Sequence, residues 1–361
     1  MLRRLDRYVL GSFLRHWAIV ASSFVLLFTT LDLVGQSDEI GEAKKIYGSV
    51  ARDVLSYYLL NAPFLLVQFA PYVTLLAALS TVMQLRRNLE WTPQLTAGRS
   101  AWRAFLPMLI AAVLIGHFLA EMRERAFPRL QLERAQLQSQ LFEQEEWRPQ
   151  ELWLRGPRDQ RVQIDAFEPV GYQGASFPRV LGLEVFSLGP RGEDVSIYAR
   201  EAVWDGRGWE LEGGRRTLAG DRASESSQEY LEMEGFRPRD VVRAWIGQHQ
   251  PLELTRRDAG ELLARDAGHR QAATLRWSLW AAPWVHLVLL LIGLPYVLNF
   301  ERQSSLEGVA VGLLLCALFF VIDFLFQDLG QRGVLTPWLA GVAPVVISGS
   351  LGLLGQGRLA T

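Results

Sequence analysis

The chain has 361 residues, 50% of them hydrophobic, and a formal net charge of -1. That balance argues against a nucleic-acid binder, which would carry a basic face, and the single cysteine, Cys316, excludes an intrachain disulfide. The average conceals a segregation: charged residues concentrate in the middle of the chain, and the segments on either side are apolar.

A bilayer core of roughly 30 Å needs about 20 mostly apolar residues in one helix. Six stretches qualify: Trp17–Gly35, Leu55–Met83, Ala104–Ala120, Trp277–Phe300, Gly308–Phe326 and Val334–Gly355. Arg3, Arg4 and Arg7 precede the first. It ends at Asp32-Leu33-Val34-Gly35 rather than in the small residues of a cleavage site, so it reads as an uncleaved span. Pro63 and Pro71 interrupt the second, Pro283 and Pro295 the fourth, and Pro337 and Pro344 the sixth. Membrane helices tolerate proline when neighbours or water satisfy the freed carbonyls.

An even number of spans puts both termini on one side. One arrangement gathers Arg3, Arg4, Arg7, Arg15, Arg86, Arg87, Arg99, Arg103, Arg302 and Arg358 on one face, leaving Lys44, Lys45, Arg52 and Arg332 on the other. The first face is then cytoplasmic, and the long segment between spans three and four lies outside, in the periplasm of a Gram-negative cell.

That outer segment opens as a helix, with Leu130, Leu137 and Leu141 near helical spacing. From Glu151 the period changes. Leu152–Arg155 and Arg161–Ile164 flank the turn signal Gly156-Pro157-Arg158-Asp159, and further strands fit Leu181–Phe186, Val195–Ala202, Gly208–Leu211 and Gln228–Met233. Asp205-Gly206 and Gly213-Gly214 mark turns. Short strands at this spacing predict an antiparallel sandwich or jelly roll. Thr255-x-x-Asp258 predicts a capping box that opens a helix leading to span four.

Catalytic signatures are missing. There is no G-x-x-x-x-G-K-[ST] and no G-x-S-x-G. His16, His117, His249, His269 and His286 are scattered without zinc-ligand spacing. Glu145-Glu146 reads best as a solvated helix face. Asp32 and Asp323 interrupt apolar runs. Each is either a functional charge at membrane depth or a residue near the outer end of its span that reaches water.

The short loop Gln84–Arg103 is more informative. It contains Arg86, Arg87, Glu90, Trp91, Thr92, Pro93 and Gly98. Thr92 as N-cap, Pro93 at the first helical position and Gly98 at the end define a short helix. It would display a carboxylate and a tryptophan to a soluble partner; the plainer reading is a basic loop flanking the membrane.

The order of several motifs resembles the LptF/LptG permease family, over nearly the whole chain. Leu5-Asp6-Arg7-Tyr8 with Phe13-Leu14 is similar to the family's opening, and Glu90 and Gly98 stand at the spacing of its loop between spans two and three. Glu121…Pro128 resembles its exit from span three. Ala282-Pro283, Gly293-Leu294-Pro295, Gly330-x-x-Gly333-x-x-Thr336-Pro337 and Ala343-Pro344 resemble its last three spans.

The resemblance implies an α-helical membrane protein with six transmembrane helices and an inserted periplasmic antiparallel β jelly-roll-like domain, in the bacterial inner membrane. Residues 1–126 would hold spans one to three with the coupling loop 84–103, residues 127–254 the β domain with its leading helix, and residues 255–361 a connecting helix and spans four to six. It implies a second LptF/LptG-type permease chain as partner, with a lipid cavity between first and fifth spans. Candidate wall residues are Phe24, Leu27, Phe28, Leu31, Asp32, Phe319, Phe320 and Asp323. It also implies an LptB-like ATPase dimer docked at Glu90, so that ATP and magnesium belong to the partner and no cofactor to this chain. Periplasmic LptC/LptA-like jelly-roll proteins would receive the lipopolysaccharide. Lys44, Lys45, Arg123, Arg125, Arg129 and Arg134 are the candidates for lipid phosphate. Two departures stand out: Pro93 lies inside the expected coupling helix, and where some family members carry a lysine late in span one, that neighbourhood holds Asp32. The rival readings are a scaffold that presents the β domain without transport, and a membrane enzyme using Asp32 or Asp323.

Overall fold

A computed structural model describes residues 4–96, 100–143, 146–156, 160–188, 194–218, 221–299 and 305–356. Gly98, Glu145, Pro157, Arg158, Asp159, Phe300, Arg3, Arg99, Arg302 and Arg358 lie outside the described residues. The chain divides into two compact units: Met1–Gly35, Tyr58–Phe127 and Arg270–Thr361 form one, Gln36–Tyr57 and Pro128–His269 the other.

The chain begins with α1 (Arg4–Gly35), α2 (Ser37–Tyr47), α3 (Ala51–Arg87), α4 (Trp91–Thr96) and α5 (Ala101–Gln138). The strands follow: β1 (Gln150–Arg155), β2 (Arg161–Glu168), β3 (Arg179–Leu188), β4 (Asp194–Trp204), β5 (Trp209–Glu212), β6 (Arg215–Leu218), β7 (Asp221–Ser227) and β8 (Tyr230–Leu231). Then come α6 (Pro238–His249), α7 (Arg256–Arg265), α8 (Arg270–Asn299), α9 (Ser305–Gln331) and α10 (Pro337–Gln356).

Among the described residues, six helices are long and apolar enough to cross a bilayer: α1, α3, α5, α8, α9 and α10. They match the six expected spans and mostly overrun them, because polar residues continue the helix beyond each apolar stretch. α3 runs unbroken through Pro63 and Pro71. In the bundle unit, Leu75, Leu79, Val82 and Leu85 of α3 pack with Val9 and Phe13 of α1, Met108 and Ala112 of α5, Leu289 and Leu290 of α8, and Phe319 of α9. Small residues allow close backbone approach, as lipid-embedded helices require. A Cβ on Gly341 of α10 would lie 2.6 Å from the backbone nitrogen of Ser278 on α8, and one on Gly116 of α5 would collide with the carbonyl of Pro283.

The other unit is an antiparallel sheet in the order β1-β2-β3-β4-β5-β8, with β6 between β4 and β7. β4 holds one register along its length: Glu201 faces Glu212 of β5, and Tyr198 faces Arg215 of β6. β5 and β6 are therefore one ribbon interrupted at Gly213-Gly214. Gln228 N–H donating to Gly214 and Leu211 N–H donating to Glu229 likewise join β7 to β8. The eight strands thus reduce to an up-and-down meander of six ribbons.

Inward-facing residues alternate as a half-buried strand demands: Leu152 and Leu154, Val162 and Ile164, Val195, Ile197 and Ala199. The parity shifts near Gly182, whose φ of 61° breaks the pleat. Beyond that line the buried residues include Phe167, Val180 and Ala202. The expected strands are all present, β6 and β7 are additional to them, and the expected Gln228–Met233 strand shrinks to β8.

The capping box at Thr255 is present: the Thr255 hydroxyl accepts from Asp258 N–H and the Asp258 carboxylate from Thr255 N–H, both at 3.1 Å. It opens α7, which ends before span four rather than running into it. α6 and α7 are linked through Arg243, paired with Asp240 at 3.3 Å, with Asp258 at 2.6 Å and with Glu261.

Candidate functional site

The loop after α3 is built on a helix-stop motif. Glu90 N–H donates to the Leu85 carbonyl at 2.8 Å and Leu89 N–H to the Arg86 carbonyl at 3.0 Å. This doubled pattern normally uses glycine at the left-handed position. Here it is Leu89, with φ 59° and a side chain 77% exposed. An L-residue there costs about 1–2 kcal/mol.

α4 begins at Trp91, so Thr92 and Pro93 lie within its first turn rather than at the cap and first position expected. Pro93 does not break it, because first-turn amides have no intrahelical acceptor to lose. Trp91 is not displayed outward. It is buried and stacks on Phe105 of α5, with centroids 5.2 Å apart and an interplanar angle of 18°. Burying that indole on the bundle outweighs exposing it. Arg86 is half-buried and Arg87 exposed. The Glu90 carboxylate stays accessible, and its Oε2 accepts the Tyr8 hydroxyl of α1 at 2.8 Å.

That bond is one of a series between α1 and the segment from α3 to its following loop. Ser12 donates to Gln84 at 3.1 Å, Thr81 meets His16 at 3.2 Å, Trp17 donates to Thr74 at 3.1 Å, and Tyr58 donates to Asp32 at 3.0 Å. Thr74 also meets His286 Nδ1 of α8 at 3.0 Å. The Thr74 hydroxyl proton goes to the Ala70 carbonyl at 2.7 Å, so its oxygen accepts from Trp17 and from His286, which carries its proton on Nδ1. Sequence reasoning missed this series; periodic polar residues on α1 were its only trace.

The expected apolar wall separates into three parts. Phe24 and Phe28 turn toward α3, where Phe28 stacks on Phe69 at 4.3 Å. Leu27, Leu31 and Phe320 are 54%, 60% and 55% exposed. Phe319 is buried at 4% in the bundle core and does not face outward, because adjacent helical residues point about 100° apart. Asp323, half-buried, accepts from Gln327 at 2.7 Å one turn on. Asp32 is half-buried on α1. α1 and α9 have the least intrachain cover: 6% and 17% of their most apolar windows are buried, against 33–50% for the other four spans.

The six basic candidates divide between the two units. Lys44 and Lys45 are exposed in the last turn of α2, and Arg129 is exposed on α5. Arg125 pairs with Glu121 at 2.5 Å, and Arg123 lies 5.6 Å over the Phe127 ring. Arg134 does not fit a ligand role. It is buried and held by Glu253 at 2.6 Å and Gln250 at 2.9 Å, because a guanidinium inside a unit needs an internal carboxylate.

The model of the family described as lipopolysaccharide export system permease LptF/LptG matches residues 7–355. The chain belongs to that family. Comparison with curated proteins finds no match. The family match spans the six apolar helices and the inserted antiparallel sheet together, so the permease is a multi-pass membrane protein of lipopolysaccharide export. Its members serve in that export system with other components, and the chain is a transporter subunit.

Proposed function

We propose that this permease is one membrane half of an ABC transporter that extracts lipopolysaccharide from the inner membrane and passes it to a periplasmic bridge of LptC/LptA-like jelly-roll proteins. The observation that carries the reading is the bareness of α1 and α9. Their apolar faces, including Leu27, Leu31 and Phe320, lack cover from the chain's own helices. A second LptF/LptG-type chain presenting the same pair encloses a cavity for acyl chains. Each buried methylene contributes about 0.8 kcal/mol, so withdrawing a multi-chain lipid needs an external energy source.

That source is an LptB-like ATPase dimer, which holds the ATP and magnesium and docks on the cytoplasmic loop 84–103 at Glu90, flanked by Arg86, Arg87 and Gly98. Both termini are cytoplasmic and the module around 127–254 is periplasmic. Lys44, Lys45, Arg123, Arg125 and Arg129 are the cations left for lipid phosphate, since a guanidinium pairs well with phosphate oxygens.

The test is Glu90→Lys in the assembled complex, reading ATPase copurification and lipopolysaccharide-stimulated ATP hydrolysis. Both should fall sharply. Unchanged values would remove Glu90 from coupling, and a wild-type chain that recovers no ATPase would favour the scaffold reading.

A further inference from the structure

We infer that Tyr8 is a positioning residue for the Glu90 carboxylate, and that its hydroxyl carries displacement of the 84–103 loop into α1. The inference rests on the ATPase-docking reading above and adds the route by which a load on the loop reaches the lipid-facing helix.

Spacing is the first argument. Tyr8, Ser12 and His16 recur every four residues, which places them on one face of α1. Their partners Glu90, Gln84 and Thr81 run in the opposite direction along the neighbouring chain. Gln84 and Thr81 belong to α3, which ends at Arg87. Glu90 lies beyond that end, so Tyr8 extends the series by one step, from helix to loop. Among the described residues, it is the one member of the series whose partner lies outside α3 and can move with the loop.

The second argument is what Tyr8 lacks. Its side chain is 48% exposed, so burial of the ring does not account for its place. Its specific contact is the hydroxyl donated to Glu90 Oε2 at 2.8 Å, while among the described residues Oε1 meets the Asn88 amide at a long 3.5 Å. One carboxylate oxygen is thereby oriented by Tyr8, and the other carries a long bond that a cation on a partner would replace.

The third argument is the poor packing of α1. With 6% of its apolar window buried, little side-chain interlock opposes its rotation or sliding in lipid, which is as apolar as its own surface. Val9 and Phe13 anchor its N-terminal part in the bundle core, and directional hydrogen bonds join them in fixing its register. A loop displaced by an ATPase would move α3 through the chain itself; it moves α1 through Tyr8.

The experiment is a double-mutant cycle of Tyr8→Phe and Glu90→Gln, with Glu90→Lys as a reference. Each full-length chain is purified with its copurifying subunits and reconstituted in nanodiscs containing lipopolysaccharide. Tyr8→Phe removes one oxygen from a half-exposed ring, so the fold is retained. Lipopolysaccharide-stimulated hydrolysis should fall about five-fold, the size of one partly exposed hydrogen bond to a charged group. The KM for ATP and the recovered ATPase should not change, and Tyr8→Phe added to Glu90→Gln should cost nothing more. Wild-type stimulation in Tyr8→Phe, losses that multiply in the double variant, or a drop in recovered ATPase would each overturn the role. If Glu90→Lys abolishes stimulation and Tyr8→Phe does not, only the Tyr8 link falls. If Glu90→Lys is also silent, the docking reading falls first.

Discussion

The two units are held together by opposite means. In the β unit, apolar side chains are inside and ion pairs lie at or near the surface: Trp209, Leu183, Ile164 and Phe236 are fully buried, while Arg200 and Glu212 pair in the open. In the bundle, large apolar residues such as Leu26, Leu114 and Leu314 point outward, at 65%, 64% and 68% exposure, and the buried contacts include Thr74, Thr81 and His286. The reason is the solvent. Water drives apolar area together, but a lipid tail gives leucine nothing to gain by turning inward. A membrane bundle is therefore specified by close approach and by hydrogen bonds. Apolar deletions should hurt the β unit most, and polar deletions the bundle.

The largest expected effect tests the first half of that contrast. Trp209 is fully buried, stacks on Phe236 with centroids 5.0 Å apart, and donates its indole N–H to the Phe236 carbonyl at 2.6 Å. Trp209→Ala should destabilise the β unit by about 3–5 kcal/mol, read as increased protease cleavage within that unit of the detergent-purified chain. Leu27→Ala on α1 also removes an apolar side chain, but a 54% exposed one, and should change thermal stability by less than about 1 kcal/mol. Equal effects would erase the contrast.

The next effect tests the second half. Thr74 accepts from Trp17 and His286 and so joins α1, α3 and α8. Thr74→Val keeps the shape and leaves both donors unpaired at membrane depth. A loss of about 1–2 kcal/mol is expected, toward the upper end for interhelical hydrogen bonds in lipid, measured as a lower melting temperature in detergent. A silent substitution would mean that packing alone sets the register of α1.

The same difference decides what the sequence discloses. The length of an apolar run is dictated by the bilayer, so the six spans are legible without any structure. Alternation over most of their length, bounded by turn signals, reveals β1 to β5 for an equally direct reason. β6 and β7 stay hidden because Arg215-Arg216-Thr217-Leu218 and Asp221–Ser227 carry almost no apolar residue; their neighbours' backbone hydrogen bonds recruit them. At the site, Glu90 is visible through the spacing of family motifs, but its bond to Tyr8 spans 82 positions and no local pattern encodes it. Arg134 shows the same limit: nothing near it in sequence announces Glu253, 119 positions away. Phe319 and Phe320 are chemically identical neighbours, and only packing separates the buried ring from the exposed one.

The smallest effect returns to the water-exposed side. Asp205 is exposed in the turn between β4 and β5, where its Oδ1 accepts from the N–H of Arg207 at 2.7 Å and of Gly208 at 2.8 Å. The Gly208 and Arg207 amides hold its carboxyl below the usual carboxylate range. A folded pKa lower than the unfolded one means that the stabilisation is fully present above about pH 4 and is lost as pH falls through the folded value. Asp205→Ala should therefore lower the melting temperature slightly at pH 7, with the difference from wild type closing in acid. The penalty should stay below that of Thr74→Val, although Asp205 also makes two backbone bonds, because water rehydrates amides that the substitution frees. A larger penalty for Asp205 than for Thr74 would show that loop geometry, rather than the surrounding solvent, sets the worth of a hydrogen bond in this chain.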